Sequence, residues 1–408
     1  MKRKEIIWAF LFIGLFLFQS TAFAEEPKEV PIEKNQVDFI DISSHNGSMS
    51  EKEFKILKKN GVKGVVVKVS EGTLMENGKF YVNPLARKQI TEAKKAGLAV
   101  SVYHYAKFSN AKSAKEEAEL FIQEVRKLGL SEDTLLVNDM EDSYTLTNED
   151  NKKRNTRQEI TNNMLLFQNT LNSAGFSYVV HYTYENFLRN NLDGTRLGKA
   201  SLWMANYLHT TESDKYKENL AWQWTSSGHV EEDIVPEDAT TSRFDFNVDY
   251  SGIFTNNLPK VKASYISKNP SEVVAQKEIS SYWDIHLTGK KSKTYKQGEK
   301  IEVAAIQMQV DGTPTLLLKD GSYLSANLQD VLPPVAHIQK MAKEKRKNIL
   351  LEEVKREMAE ETGEQGVLKM LKSPIVTIEN EIPTREVKIL PGGISEVIGE
   401  VKEEKIVK

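Results

Sequence analysis

The feature that most constrains the fold is an alternation of short apolar runs with polar, helix-forming stretches between residues 37 and 255. Several of the apolar runs are continuous, which is typical of parallel strands buried on both faces. The eight predicted strands span residues 37–42, 64–69, 98–105, 134–141, 178–182, 200–207, 221–225 and 244–248.

The intervals between these strands carry helix start and stop signals. Serine or threonine followed three residues later by glutamate can satisfy the exposed donors of a first turn, and glycine commonly ends a helix. The predicted starts are Ser50 with Glu53, Asn83 with Pro84, Ser113 with Glu116 and Thr156 with Glu159, and the predicted ends are Gly97, Gly129 and Gly175. This repetition predicts an α/β fold, an irregular (β/α) barrel over residues 37–255. A doubly wound open sheet is the alternative, but no glycine-rich phosphate loop follows the first strand.

The N-terminal segment predicts export. Three basic residues at positions 2–4 precede an apolar run over 6–18, and Ala22-Phe23-Ala24 has the spacing read by a signal peptidase. We expect a cleaved signal peptide over 1–24 and a linker over 25–36; a retained membrane anchor is the alternative. The absence of cysteine from the whole sequence favours secretion from a bacterium, and we expect a Gram-positive source.

Charge excludes one class of partner. Loss of residues 1–24 removes three basic residues and one acid, which takes the formal net charge from −3 to −5. A basic surface for nucleic acid is therefore not predicted.

The remaining sequence changes character in steps. Residues 256–276 are predicted as a linker, and alternating apolar residues with Asp-Gly turns predict a small all-β domain over 277–334. Residues 335–363 predict a highly charged helix, on which Leu351, Val354 and Met358 share one face. That helix is either a solvated spacer or a site for a protein partner. Residues 364–408 are predicted to be a flexible tail.

Asp139 and Glu141 are the strongest candidates for chemistry. Residues i and i+2 of a strand point to the same face, so the two carboxyl groups project together from the end of the apolar run at 135–137. Active sites of (β/α) barrels form at the C-terminal ends of the strands. Like charge and partial burial raise the pKa of one member of such a pair, as a general acid that protonates a glycosidic oxygen requires.

Other predicted strand ends add acids and aromatic rings. Asp41 lies at the end of the first strand and Asp245 lies on the last. Aromatic faces beside carboxylates suit a carbohydrate groove, although some of these rings fill a core instead. The aromatic candidates are Tyr103, Tyr105, Tyr182, Trp203, Tyr207, Trp222 and Trp224.

Neither a metal nor a cofactor is predicted. The seven histidines are scattered without paired ligand spacing, and hydrogen-bonding roles are expected for His45 and His104. No Gly-x-Ser-x-Gly motif is present to serve a Ser–His–Asp hydrolase.

Taken in order, the strand ends resemble glycoside hydrolase family 25, the muramidases similar to fungal and bacteriophage lysozymes. The motifs that carry the resemblance are Ile40-Asp41-Ile42-Ser43-Ser44-His45-Asn46-Gly47, Val67-Lys68-Val69-Ser70-Glu71-Gly72, Tyr103-His104-Tyr105-Ala106, Asn138-Asp139-Met140-Glu141, Trp203-Met204-Ala205-Asn206-Tyr207, Trp222-Gln223-Trp224 and Asp245-Phe246-Asn247-Val248. They cover little more than half of the chain.

The resemblance implies hydrolysis of the β-1,4 bond between N-acetylmuramic acid and N-acetylglucosamine in peptidoglycan. It implies that Glu141 is the general acid, that Asp139 orients the substrate acetamido group or a water, and that Asp41 and Asp245 complete the opposite wall. Retention and inversion of configuration both stay open. Asp249 and Trp224 depart from the residues usual in the family, which bears on substrate preference.

The β domain at 277–334 resembles bacterial Src-homology-3-like wall-binding modules, which implies attachment to the cell wall. Its candidate ligand contacts are Tyr282, Trp283, Tyr295 and Tyr323, for each of which core packing is the alternative. Two other functions stay open for the whole chain. One is a non-catalytic glycan-binding surface protein on the same fold, and the other is a chitinase-like glycosidase.

Overall fold

The computed structural model describes residues 30–31, 37–207, 216–230, 234 and 236–362, with side chains over 37–207, 216–230, 234 and 236–356. The predicted signal peptide (1–24), most of the linker at 25–36 and the predicted tail (364–408) lie outside the described residues. Along the described part of the chain, no helix combines the length and apolar character needed to cross a membrane.

Eight strands close into a barrel, as predicted. They are β2 (Phe39–Ile42), β3 (Gly64–Leu74), β5 (Ala99–Tyr105), β6 (Leu136–Asp139), β7 (Val179–Tyr184), β8 (Leu202–Ala205), β9 (Ala221–His229) and β10 (Phe244–Asp249), with β1 (Val30–Pro31) beside β9 and β4 (Phe80–Val82) beside β3. Neighbouring barrel strands are parallel except for β10, which runs antiparallel to both β9 and β2. The barrel is irregular for that reason.

Helices cover the outside of the barrel. They are α1 (Glu51–Lys59), α2 (Ala86–Lys95), α3 (Ala111–Lys127), α4 (Arg157–Ser173), α5 (Glu185–Asn191) and α6 (Gly194–Leu197). The capping boxes predicted at Ser50 and Thr156 are present.

Two predicted helix starts are wrong. The helix α2 begins at Ala86 with Leu85 as its N-cap, and not with Asn83 as the cap and Pro84 in the first turn. Asn110, not Ser113, caps α3, because the Asn110 side chain accepts from the Ser113 backbone N–H at 2.8 Å and Ser113 is the third residue of the box. Asn lies among the strongest N-cap residues, and α3 therefore begins three residues earlier than expected.

Alternation along the strands divides the apolar residues into two layers. Outward residues such as Ile40, Val67 and Val102 pack against the helices, with 0% exposure each. Inward residues fill the end of the barrel remote from the candidate acids, where the rings of Phe39 and Phe254 stack with centroids 4.4 Å apart. This arrangement leaves the other end of the barrel for polar side chains.

A second, seven-stranded sheet follows the barrel. Its strands are β11 (Glu272–Ala275), β12 (Ile279–Tyr282), β13 (Lys291–Tyr295), β14 (Lys300–Met308), β15 (Pro314–Leu318), β16 (Tyr323–Ser325) and β17 (Val331–Leu332). β11 lies within the segment predicted as a linker (256–276), because its short apolar run pairs with β14 and β17 rather than forming a hairpin of its own.

This β domain packs directly on the barrel. Gln168 and Asn169 of α4 donate to the backbone oxygens of Ile306 and Ala304 at 2.9 and 3.0 Å. In return, the Gln307 side chain donates to the oxygen of Leu197 at 2.8 Å. The barrel and the β domain therefore share a buried, hydrogen-bonded interface.

The last described element is helix α7 (Pro334–Thr362), in agreement with the charged helix predicted over 335–363. Leu351 and Val354 of the predicted apolar stripe are 41% and 42% exposed, and the side chain of Met358 lies outside the described residues.

Candidate active site

Asp139 and Glu141 lie together at the C-terminal end of β6. Asp139 is the last residue of the strand, and Glu141 follows two residues later. The Met140 backbone N–H still donates to the oxygen of Tyr182 on β7 at 2.9 Å, which extends the strand pattern past its end. Met140 points outward into the core with 0% exposure. The carboxyl groups on either side of it therefore share the inner face, as the sequence predicted.

Asp41 and Asp245 form the opposite side of the constellation. They are directly paired across the antiparallel strands β2 and β10. Gln223 and Asn247 donate from their side-chain amides to Oδ2 of Asp41 at 3.0 and 2.9 Å. The four acids predicted from the sequence are thus brought to one end of the barrel.

Burial and mutual repulsion hold protons on these acids. Burial raises the pKa of Glu141 to about 7, and the charges of Asp41 and Asp142 act in the same direction. Burial raises the pKa of Asp41 to about 6, against the opposing effect of its amide donors. The pKa values of Asp139 and Asp245 are raised well above the ordinary range by burial first and by neighbouring carboxylates second. The site therefore holds protonated carboxyl groups near neutral pH, as a general acid requires.

Lys68 is a cation of the site that acts on the acid pair. Its Nζ lies 2.5 Å from Oε2 of Glu71 and 4.7 Å from the ring centroid of Tyr105. Its charge lowers the pKa values of both Asp139 and Glu141, against the larger effect of burial. Lys68 thus limits how far the acid pair is driven to the neutral form.

A cavity of about 480 Å³ opens beside Glu141. Its walls include Tyr182, Tyr184, Tyr207 and Arg189. Asp139 is not part of the cavity lining, and its Oδ1 is buried and makes no hydrogen bond within the described part of the chain. A buried acceptor without a partner is costly, so this atom is placed to receive a donor from a substrate or a water. Across the described ranges, no cluster of three or more histidine, aspartate or glutamate residues is arranged to hold a metal ion.

The barrel that carries these acids matches the model of a known protein family. The model described as "Glycosyl hydrolases family 25" matches residues 40–233, which include Asp41, Asp139 and Glu141. Residues 40–233 are therefore similar to the glycosyl hydrolases of family 25. A second model, described as "Domain of unknown function (DUF5776)", matches residues 265–331, which correspond to the β domain. The comparison with curated proteins found no match.

The chain is also similar to several solved structures. The modular autolysin LytC from Streptococcus pneumoniae is 22% identical with a TM-score of 0.41, and the match covers 52% of this chain and 46% of LytC. A family 25 lysozyme from Aspergillus fumigatus is 24% identical with a TM-score of 0.37, covering 47% of this chain and 88% of that one. The endolysin ply40 from bacteriophage P40 of Listeria monocytogenes is 20% identical with a TM-score of 0.40, covering 54% and 95%. This chain thus spans less than half the length of LytC.

The predicted tyrosines lie around the four acids. Tyr103 is half-buried among them, and burial followed by the charges of Asp41 and Asp139 raises its pKa. The hydroxyls of Tyr182 and Tyr207 both donate to Oε1 of Gln223, at 2.8 and 2.9 Å. Tyr207 is 52% exposed and can offer its ring to a ligand.

The predicted tryptophans do not face a groove. Trp203, Trp222 and Trp224 are 2%, 0% and 3% exposed. Trp203 packs inside the barrel against Phe39 and Tyr182. Trp222 and Trp224 lie on the outward face of β9, within the apolar core outside the barrel. A buried ring has no free face on which a sugar can stack, so their assignment as substrate contacts is wrong.

Gln223 and Asn247 were missed in the sequence although both contact Asp41. The signal was strand alternation. Gln223 stands between two tryptophans, so a polar inward position follows once both rings are assigned to the outer face. Lys68 shares the inward face of β3 with Val66 by the same alternation, whereas its pairing with Glu71 depends on a bulge in β3 that the sequence does not show.

Asp249 has a structural role remote from the acids. Since β10 runs antiparallel, Asp249 lies at the opposite end of the barrel from Asp245. Its carboxylate accepts from the backbone N–H groups of Gly252 and Phe254 at 2.7 and 3.0 Å. This departure from the family pattern therefore closes a turn and does not contact the cavity.

Two of the predicted ligand contacts of the β domain are also buried. Tyr295 and Tyr323 are 6% and 3% exposed, because the Tyr295 ring lies in the core of the sheet and the Tyr323 ring packs against Gly198 of the barrel. Trp283 is 48% exposed.

Proposed function

We propose that this protein is a secreted peptidoglycan hydrolase that cleaves the β-1,4 bond between N-acetylmuramic acid and N-acetylglucosamine. The observation that carries the proposal is Glu141, a carboxyl group with a pKa of about 7 that lines an open cavity beside three further acids. The similarity of residues 40–233 to a glycosyl hydrolase family supports the reaction class. Solved relatives include LytC in complex with a synthetic peptidoglycan ligand.

The chemistry follows from the protonation states. Protonated Glu141 donates to the glycosidic oxygen as the bond to the anomeric carbon breaks, which leaves an alcohol on the departing sugar. Asp139, with its buried oxygen lacking a partner, orients the acetamido group or the water that attacks. Asp41, held by Gln223 and Asn247, supplies negative charge opposite the developing oxocarbenium ion.

The experiment compares residues 25–408 with the Glu141→Gln variant on purified peptidoglycan, with products identified by mass spectrometry. We expect products with reducing-end N-acetylmuramic acid from the native sequence, and a loss of at least about a thousandfold in rate from the variant. Glu132→Gln is the matched control, since it makes the same change at an exposed site before β6. Equal rates for Glu141→Gln and the native sequence contradict the role of Glu141, and binding without products from either supports a non-catalytic glycan-binding protein.

We further propose that the β domain binds the cell wall through the exposed Trp283. A large ring at the surface offers an apolar face to a sugar or peptide of the wall. Co-sedimentation of residues 25–408 with isolated wall sacculi tests this, and Trp283→Ala is expected to reduce the bound fraction. Unchanged sedimentation of the variant contradicts the proposal. Export is tested by locating the protein in culture medium and wall fractions.

A further inference from the structure

A bulge in β3 lies beside the acids. Lys68 is paired with Tyr103 of β5, but the next paired residue of β3 is Ser70, opposite His104. Val69 is the extra residue, and it packs outward with 0% exposure. Regular alternation puts residues i and i+3 on opposite faces. The bulge changes this parity, and Lys68 and Glu71 form their 2.5 Å ion pair on the side of the acids.

Behind this bulge lies a buried chain of three polar side chains, here called the buried triad: Ser70, His104 and Glu117. Oγ of Ser70 is 2.9 Å from Nδ1 of His104, and Nε2 of His104 is 2.8 Å from Oε2 of Glu117. The three residues are 0%, 0% and 1% exposed. The ring of His104 also lies against Phe167, with centroids 5.4 Å apart.

The buried triad ties three segments together. Ser70 belongs to β3, His104 to β5 between Tyr103 and Tyr105, and Glu117 to α3. Glu117 also accepts from the backbone N–H of Lys107 at 2.9 Å. Its carboxylate fills the space beside Gly72, where an added Cβ would lie 2.4 Å from it.

Nucleophilic catalysis does not explain this arrangement. A Ser–His–Glu series is the order of a hydrolase triad, but a serine with 0% exposure cannot meet a substrate. The hydrogen bonds instead fix the one place where β3 departs from regular pairing with β5. A buried network that is fully hydrogen-bonded specifies one local structure.

We propose that Ser70, His104 and Glu117 are positioning residues that hold the β3 bulge, which puts Glu71 on the inner face, and so anchor Lys68 beside the acid pair. The inference rests on the proposed function of the site. Loss of the Ser70–His104 contact lets β3 return toward regular pairing, and Glu71 then turns to the outer face. Lys68 loses its ion pair, and with it the anchor that holds it beside the acid pair and the ring of Tyr105. The consequence is a weaker cationic influence on Glu141, although no residue that meets the substrate has been changed.

Ser70→Ala tests this with the smallest change. We expect kcat on peptidoglycan to fall on the order of tenfold with KM nearly unchanged, since misplacement of a supporting group is felt mainly in the chemical step. The alkaline limb of the pH profile is expected to move to higher pH, because Lys68 no longer favours ionised Glu141 as strongly. His104→Gln, which keeps an amide donor for Glu117 but loses the contact to Ser70, should produce the same shift.

Ser101→Ala is the matched control. It makes the same substitution at a buried serine of the neighbouring strand β5, paired with Val66 well before the bulge, and should leave the pH profile unchanged. NMR titration of the Glu141 carboxyl carbon reads the shift without turnover. If the Glu141 titration shifts in the variants but the native protein cleaves no peptidoglycan, the proposed function is wrong and the positioning role stands. Folded variants with an unmoved Glu141 titration overturn the positioning role, and so does failure of both variants to fold.

Discussion

At the scale of the residue, Glu141 is held where its charge is unfavourable. Burial raises its pKa from 4.5 to about 7. The folded state therefore retains a proton that the unfolded state releases, and stability is lost as pH rises from about 4.5 through 7.

Glu141→Gln is accordingly expected to stabilise the protein at pH 8 by on the order of 3 kcal/mol, and by much less at pH 4.5. Urea denaturation at the two pH values measures the difference. Equal effects of the substitution at both pH values contradict the raised pKa.

The pH dependence of catalysis tests the same group in the native protein. Because protonated Glu141 is the donor, kcat/KM is expected to fall about tenfold per pH unit above about 7. Lys68→Met removes the cation that favours ionised Glu141, so the fall should move to higher pH. Initial rates on soluble glycan fragments from pH 5 to 9 measure both curves, and an unmoved or downward-shifted limb in Lys68→Met contradicts the role of Lys68.

At this scale, features set by the local sequence pattern were predictable, whereas contacts between distant residues were not. The co-facial arrangement of Asp139 and Glu141 follows from a period of two along a strand, which sequence encodes locally. The acceptor role of Asp41 toward Gln223 and Asn247 depends on contacts between residues about 180 to 200 positions apart, which local pattern does not specify.

At the scale of the element, β9 carries a structural aromatic residue, whereas an exposed aromatic residue follows the end of β8. Trp222 is fully buried and its Nε1 donates to the oxygen of Asn206 at 2.8 Å, whereas Tyr207 is 52% exposed at the cavity. Trp222→Ala is expected to cost about 3–5 kcal/mol of stability. Tyr207→Ala should cost less than about 1 kcal/mol but raise KM.

Thermal unfolding and steady-state kinetics on the two variants measure these effects. If Trp222→Ala destabilises the protein little and raises KM, then Trp222 contacts the substrate. That outcome contradicts the burial of its ring.

Elements were predicted better than their directions and irregularities. All eight barrel strands were located, because apolar runs between helix signals define them. The antiparallel course of β10 and the bulge at Val69 were not predicted, since both arise from pairing between strands. The true cap of α3 was missed because Asn110 and Ser113 each satisfy part of a capping pattern, and only the backbone shows which one begins the helix.

At the scale of the whole molecule, the β domain is part of the structural core. Removal of residues 256–408 uncovers α4 and leaves Gln168 and Asn169 without their backbone acceptors on β14. A protein that ends at Thr255 is expected to lose at least about 5 °C in Tm relative to the full chain, or to aggregate. A protein that ends at Ile338, which keeps the interface, is the control and should retain its Tm. Equal Tm values for both truncations contradict a shared core.

The reversed strand β10 has a consequence for handling a long polymer. Because β10 runs against its neighbours, its last residue lies at the end of the barrel opposite the acids, where Phe254 then packs on Phe39. The polypeptide leaves the barrel there instead of at the mouth of the cavity. In the proposed reaction the glycan chain continues on both sides of the cleaved bond, so the approach to the cleft has to stay open on two sides. The direction of one strand starts the connection to the β domain at the other end of the barrel, away from that approach.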